Sequence, residues 1–90
     1  MDALTMLKQN LEITNTIRDE YLRTLICAAE KDLLRHGITA PDEKSHDYTN
    51  LVVMYAAYYY RKRAEDAAPM PRMLKWAIHN YLLHQKMEVG

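Results

Sequence analysis

The stretch LVVMYAAYYY, Leu51 to Tyr60, limits this chain more than any other: ten residues without a charge or a turn former. It is too short to cross a bilayer, which takes roughly 20 apolar residues. Successive residues of a helix point about 100° apart, so a helix here is apolar on most of its sides. Such a helix must be enclosed by several neighbours or by another subunit. Tyr48, Leu51, Val52, Tyr55, Tyr58, Tyr59 and Lys62 make one stripe, while Val53, Ala57, Tyr60 and Ala64 make a second. Tyr58, Tyr59 and Tyr60 therefore cannot share one surface. Ala56 and Ala57 leave room for close approach.

The rest of the chain is punctuated sparsely. Two glycines and three prolines in 90 residues, with abundant Leu, Ala, Met, Lys, Arg and Glu, favour helices over a turn-rich sheet protein. A short helix is expected from about Ala3 to Asn10, with Asp2 as N-cap and Leu4, Leu7 and Leu11 as its stripe. LEITN then breaks the period, and Ile13 buries one side chain in a turn. A long helix is expected from about Ile17 to His36, opened by a Thr16–Asp19 capping box. Leu22, Leu25, Ile26, Ala29 and Leu33 form its face, and Cys27 reads as core. Gly37 closes it as a left-handed residue, with Ile38 folding back on Leu33. TAPDEKSHD is a polar loop, after which Ser45 or Asp47 caps the central helix, about His46 to Glu65. DAAPMP is a hinge, and Pro71 opens a last helix from about Arg72 to Lys86. Met73, Leu74, Ala77, Ile78, Tyr81 and Leu82 make its stripe, with Trp76 and Leu83 to one side. The expectation is one all-α domain over 1–90: a compact bundle of about four helices, one short and N-terminal, three longer.

Composition narrows the function. Twelve cations balance twelve anions, whereas a dedicated nucleic-acid binder carries a clear positive excess. The charge is polarised: residues 1–47 hold six cations and nine anions, residues 48–90 six cations and three anions. Arg61, Lys62 and Arg63 sit in the last turns of the central helix, where the helix dipole favours cations. Glu65 and Asp66 follow and weaken any attraction to phosphate. Tyr, Met and Arg are enriched where proteins meet, so Tyr60, Arg61, Arg63, Met70 and Met87 are the candidate interface residues.

His36, His46, His79 and His84 lack the i, i+4 spacing of a helical metal site, and no cysteine pair accompanies them. No glycine-rich phosphate loop or nucleophile elbow occurs, and the adjacent pairs Asp19–Glu20 and Asp42–Glu43 point apart. No catalytic, metal or cofactor site is expected. A single cysteine excludes an internal disulfide, and MDALTMLKQN lacks the charged-then-apolar order of a signal peptide. A soluble, intracellular protein is expected.

The order of features resembles the small head–tail connector (adaptor) proteins of tailed bacteriophages and prophages. Leu7, Lys8, Leu11 and Ile13 fit a leading L-K-x-x-L-x-I, and Ala28 and Ala29 a small-residue step in the second helix. Tyr55 to Tyr60 fit an aromatic-rich helix ending in basic residues, and Met70 with Pro71 the start of the last helix. The resemblance spans nearly the whole chain. It implies no catalysis and no membrane, but a helical protomer closing with its own copies into a ring of about twelve. That ring docks on the portal protein at the capsid vertex, tail-side completion proteins attach below, and DNA passes through non-specifically. It implies a place in the neck of the virion and, during assembly, in the host cytoplasm. The alternative is a small helical DNA-binding or regulatory protein reading with Arg72, Lys75 and His79.

Overall fold

The computed structural model describes residues 2–39, 46–64 and 70–89, the side chains of 63, 64 and 87–89 aside. Four helices follow one another: α1 (Ala3–Asn10), α2 (Asp19–Arg35), α3 (His46–Ala64) and α4 (Arg72–Val89). Among the described residues there is no strand. The protein is an all-α bundle with one short N-terminal helix and three longer ones.

The central position of α3 follows from its sequence. Leu51, Val52, Val53, Tyr55, Ala56 and Ala57 are all buried, a set that covers most of the helix circumference. Helices α1, α2 and α4 all pack on it. Leu7 from α1, Leu22, Ile26, Ala29 and Leu33 from α2, and Leu74 and Ile78 from α4 complete the core. The molecule measures 44 × 30 × 18 Å, so its shortest axis is about two helices thick. Every helix except α3 keeps one side in water.

The helix ends repeat one device. At the close of α2, Gly37 N–H donates to Leu34 O and Ile38 N–H to Leu33 O, both at 3.0 Å. Gly37 has φ +94°, and Ile38 packs into the core beside Leu33, as the sequence predicts. At the close of α1 the same pair of bonds recurs: Glu12 N–H to Gln9 O at 3.2 Å and Ile13 N–H to Lys8 O at 2.9 Å. Here the left-handed residue is Glu12, φ +59°. At the start of α1, the Asp2 carboxylate accepts from Thr5 N–H at 2.8 Å, the expected cap. The Thr5 side chain first, then this N–H bond, holds the Asp2 carboxyl below its ordinary pKa.

Several expectations are corrected. Helix α2 starts at Asp19 rather than Ile17 and has Arg18 at its N-cap without a side-chain bond, so the Thr16–Asp19 box does not form. The physical reason is a tertiary competitor: Lys8 Nζ on α1 lies 2.9 Å from Asp19 Oδ1. That oxygen makes no well-aligned hydrogen bond and is held by the ionic contact alone. Cys27 is exposed, not core, and Met73 is 77% exposed although its register is close to that of Leu74. Leu25 and Leu82 are only half-buried at the margin of the core. Helix α4 continues past Lys86 to Val89. Asp47, one of the two expected caps of α3, lies within the helix, which begins at His46; the other, Ser45, and most of the DAAPMP hinge lie outside the described residues.

Candidate interaction surfaces

Three surfaces could meet a partner, and the tyrosine run contributes to two of them. Tyr58 and Tyr59 turn with Tyr55 toward one side, their rings 5.1 to 6.2 Å apart. Lys62 Nζ stands 5.7 Å from the Tyr58 ring centre. Leu25, Ala28, Tyr59 and Lys62 line an open, mainly apolar groove of about 310 Å³ between α2 and α3. Burial pushes the Tyr55 hydroxyl above its ordinary pKa, with the charge of Asp32 adding to the effect.

Tyr60 faces elsewhere, as the helical period requires. Its hydroxyl accepts a hydrogen bond from the Arg18 guanidinium, and its ring centre lies 6.3 Å from that of Tyr21. Next to it Arg61 donates to Asn10 Oδ1 at 3.1 Å. The basic end of α3 is thus tied to the α1–α2 corner of the same chain. Of the predicted interface residues, Tyr60 is half-buried in this junction and Arg61 is exposed beside it. Met70 is half-buried against the core. The side chains of Arg63 and Met87 lie outside the described residues. The structure therefore brings Tyr60 and Arg61 together and commits both partly to intrachain contacts.

The third surface is the outer side of α4. Leu74 and Ile78 face the core, while Trp76 is 61% and Leu83 47% exposed. The helix is anchored at its far end by one side chain. Gln85 Nε2 donates to Gly37 O at 2.8 Å, and its Oε1 accepts from Thr39 N–H at 3.0 Å and Thr39 Oγ1 at 3.2 Å. Tyr81 packs on Tyr48 at 6.2 Å between ring centres. Tyr48 also donates a long hydrogen bond, 3.4 Å, to Glu30 Oε2. Burial first, then the Glu30 charge, pushes its hydroxyl up to about 12.

The described residues hold no group of three or more His, Cys, Asp or Glu placed to bind a metal ion. His36, His46, His79 and His84 are all exposed, and only His36 stacks loosely, 6.3 Å from Tyr55. No helix among the described residues is long and apolar enough to cross a membrane. No family model matches the chain, and neither a curated protein nor a solved structure is found to be similar to it. What sequence reasoning missed is Gln85: its bonds span 46 and 48 residues, and no local pattern announces them.

Proposed function

We propose that the chain is a structural connector: a ring-forming head–tail adaptor that docks on a portal vertex, receives tail-side proteins, and lets DNA pass through its channel. The observation that carries an assembly role is the pair of apolar sides on α4, one buried on α3 and the other in water. Soluble monomers rarely expose contiguous apolar patches larger than a few hundred Å², and Met73, Trp76 and Leu83 are three large exposed hydrophobics on one helix. The polarised charge adds a steering component suited to head-to-tail contact. The connector identity itself rests on the resemblance in motif order, from Leu7–Ile13 through Tyr55–Tyr60 to Met70–Pro71.

The test is native mass and negative-stain imaging of the purified chain at high concentration, alone and with portal-bearing particles. Closed rings, or decoration of the portal vertex, are expected. A persistent monomer or dimer whose DNA affinity falls steeply with salt would favour the regulatory alternative, with Arg72, Lys75 and His79 meeting phosphates.

A further inference from the structure

Helix α4 is bound to the rest of the chain differently from its neighbours. Helices α1, α2 and α3 each pack on the other two, whereas α4 packs chiefly on α3. It buries two large side chains outright, Leu74 and Ile78, both in its first two turns. Ala77, Tyr81 and Leu82 are half-buried against the core. From Tyr81 onward, the described part of α4 is therefore held by partly covered apolar side chains and by one polar one.

That polar side chain is Gln85. Its Nε2 donates to Gly37 O, and its Oε1 accepts from Thr39 N–H, the two bonds flanking Ile38. One side-chain amide thus satisfies a backbone acceptor and a backbone donor just past the end of α2. Ile38 is buried, and its own N–H is bonded back to Leu33 O. Gln85 therefore ties the far end of α4 to the fixed stop of α2. Among the described side chains of α4, only Gln85 hydrogen-bonds or ion-pairs outside its own helix.

We propose that α4 is a strap and Gln85 its latch: the helix leaves the α1–α3 body as a unit, at a smaller free energy than global unfolding, and the Gln85 bonds set how often it does so. The body keeps most of the core, for α4 supplies two of the fifteen buried hydrophobic residues among those described. Elements with few buried apolar contacts and exposed hydrogen bonds occupy the low-stability end of a fold and open sub-globally. The Gln85 bonds are of this exposed kind. Losing two such bonds shifts an opening equilibrium by about tenfold. Opening lifts Tyr81 off Tyr48, whose ring centres lie 6.2 Å apart, and bares the side of α3 that Leu74 and Ile78 cover. The closed form withholds that apolar strip. The strap goes beyond the connector reading and does not depend on it.

Native-state hydrogen exchange on the full chain, dilute and at increasing urea, tests both parts. The mid-helix amides of α4, Ile78 to Leu83, should exchange at least tenfold faster than those of Val52 to Ala57 on α3, and with a smaller urea dependence. Thr39 N–H, whose acceptor is on Gln85, should exchange in step with α4 rather than with α3. Gln85→Ala should speed α4 exchange about tenfold and strip Thr39 of its protection, with circular dichroism unchanged. Alanine is the better helix former, so faster exchange in that variant reports the lost bonds and not a weaker helix. If α4, Thr39 and α3 all exchange at one rate with one urea dependence in the wild type, α4 opens only when the whole fold does, and the strap is refuted. If α4 opens alone but Gln85→Ala leaves its rate unchanged, Gln85 is not the latch and the proposal falls.

Discussion

The two matched helix ends offer a sharp test, because the same motif carries glycine at one and glutamate at the other. Glu12 at φ +59° and Gly37 at φ +94° both serve as the left-handed residue after a helix. A side chain in that region costs about 1–2 kcal/mol. Glycine removes the cost but brings roughly 0.5–1 kcal/mol of extra freedom to the unfolded chain. Glu12→Gly should therefore stabilise the fold by about 0.5–1 kcal/mol. Glu12 lies outside the helix and is exposed, so neither helix propensity nor packing is lost. Gly37→Ala should move the other way by about 1 kcal/mol. Its φ lies beyond the usual left-handed value near 57°. Steric clash adds nothing, since a Cβ there would meet Leu82 Cδ2 at 3.5 Å, ordinary contact. For a chain of this size the shifts correspond to roughly 4 °C in melting temperature, up for the first variant and down for the second. Urea and thermal unfolding followed by far-UV circular dichroism would read both. A destabilised Glu12→Gly variant would refute the reasoning and show that the Glu12 side chain holds a contact in the fold.

Burial predicts a graded series: Leu33→Ala should cost about 2–5 kcal/mol, Leu25→Ala clearly less, and Met73→Ala within about 0.5 kcal/mol of zero. Urea midpoints check the order, and a large loss at Met73 would mean that α4 is seated differently. Tyr48 predicts an alkaline limit. Its folded pKa of about 12 exceeds the ordinary 10, so above pH 10 the unfolded chain releases the proton first. The stability that neutral Tyr48 contributes is whole below pH 10 and is lost as pH rises toward 12. Tyr48→Phe should flatten that decline relative to wild type, and a parallel decline in the variant would assign it to other groups.

The elements were legible wherever a local rule had no rival. Asp2 caps α1 as the local rule expects, its carboxylate accepting from Thr5 N–H. Gly37 stops α2 because no other residue nearby tolerates its backbone angle. The central place of α3 was readable because ten uncharged residues leave a helix no wet side. Asp19 defeated the local rule, since its capping role was taken by Lys8 from another helix, a tertiary contact invisible to spacing. Glu12 was seen only as a break in period, since a left-handed glutamate has no glycine to announce it. Cys27 and Met73 failed together for one reason: periodicity finds apolar sides of a helix but not which side is covered. The interface candidates show the same limit: the sequence places Tyr60 and Arg61 at an intersubunit surface, and their described contacts are intrachain.

On the connector reading, the uncovered side of α4 would couple folding to assembly, and this coupling can be measured. Trp76 is 61% exposed in the isolated chain, so Trp76→Ala should leave dilute-solution stability within about 0.5 kcal/mol of wild type. If assembly covers the same residue with a neighbouring copy, binding that favours the folded state adds RT ln(1 + [L]/Kd). At a free-subunit concentration of 100 Kd this is about 2.7 kcal/mol, which the variant would forfeit as its Kd rises. The melting temperature of wild type should therefore climb with protein concentration, while that of Trp76→Ala stays flat. Dilution is the decisive axis, because an intrachain role for Trp76 would separate the two proteins equally at every concentration. Equal slopes for both would detach α4's outer face from assembly and leave its apolar ridge without the role assigned to it.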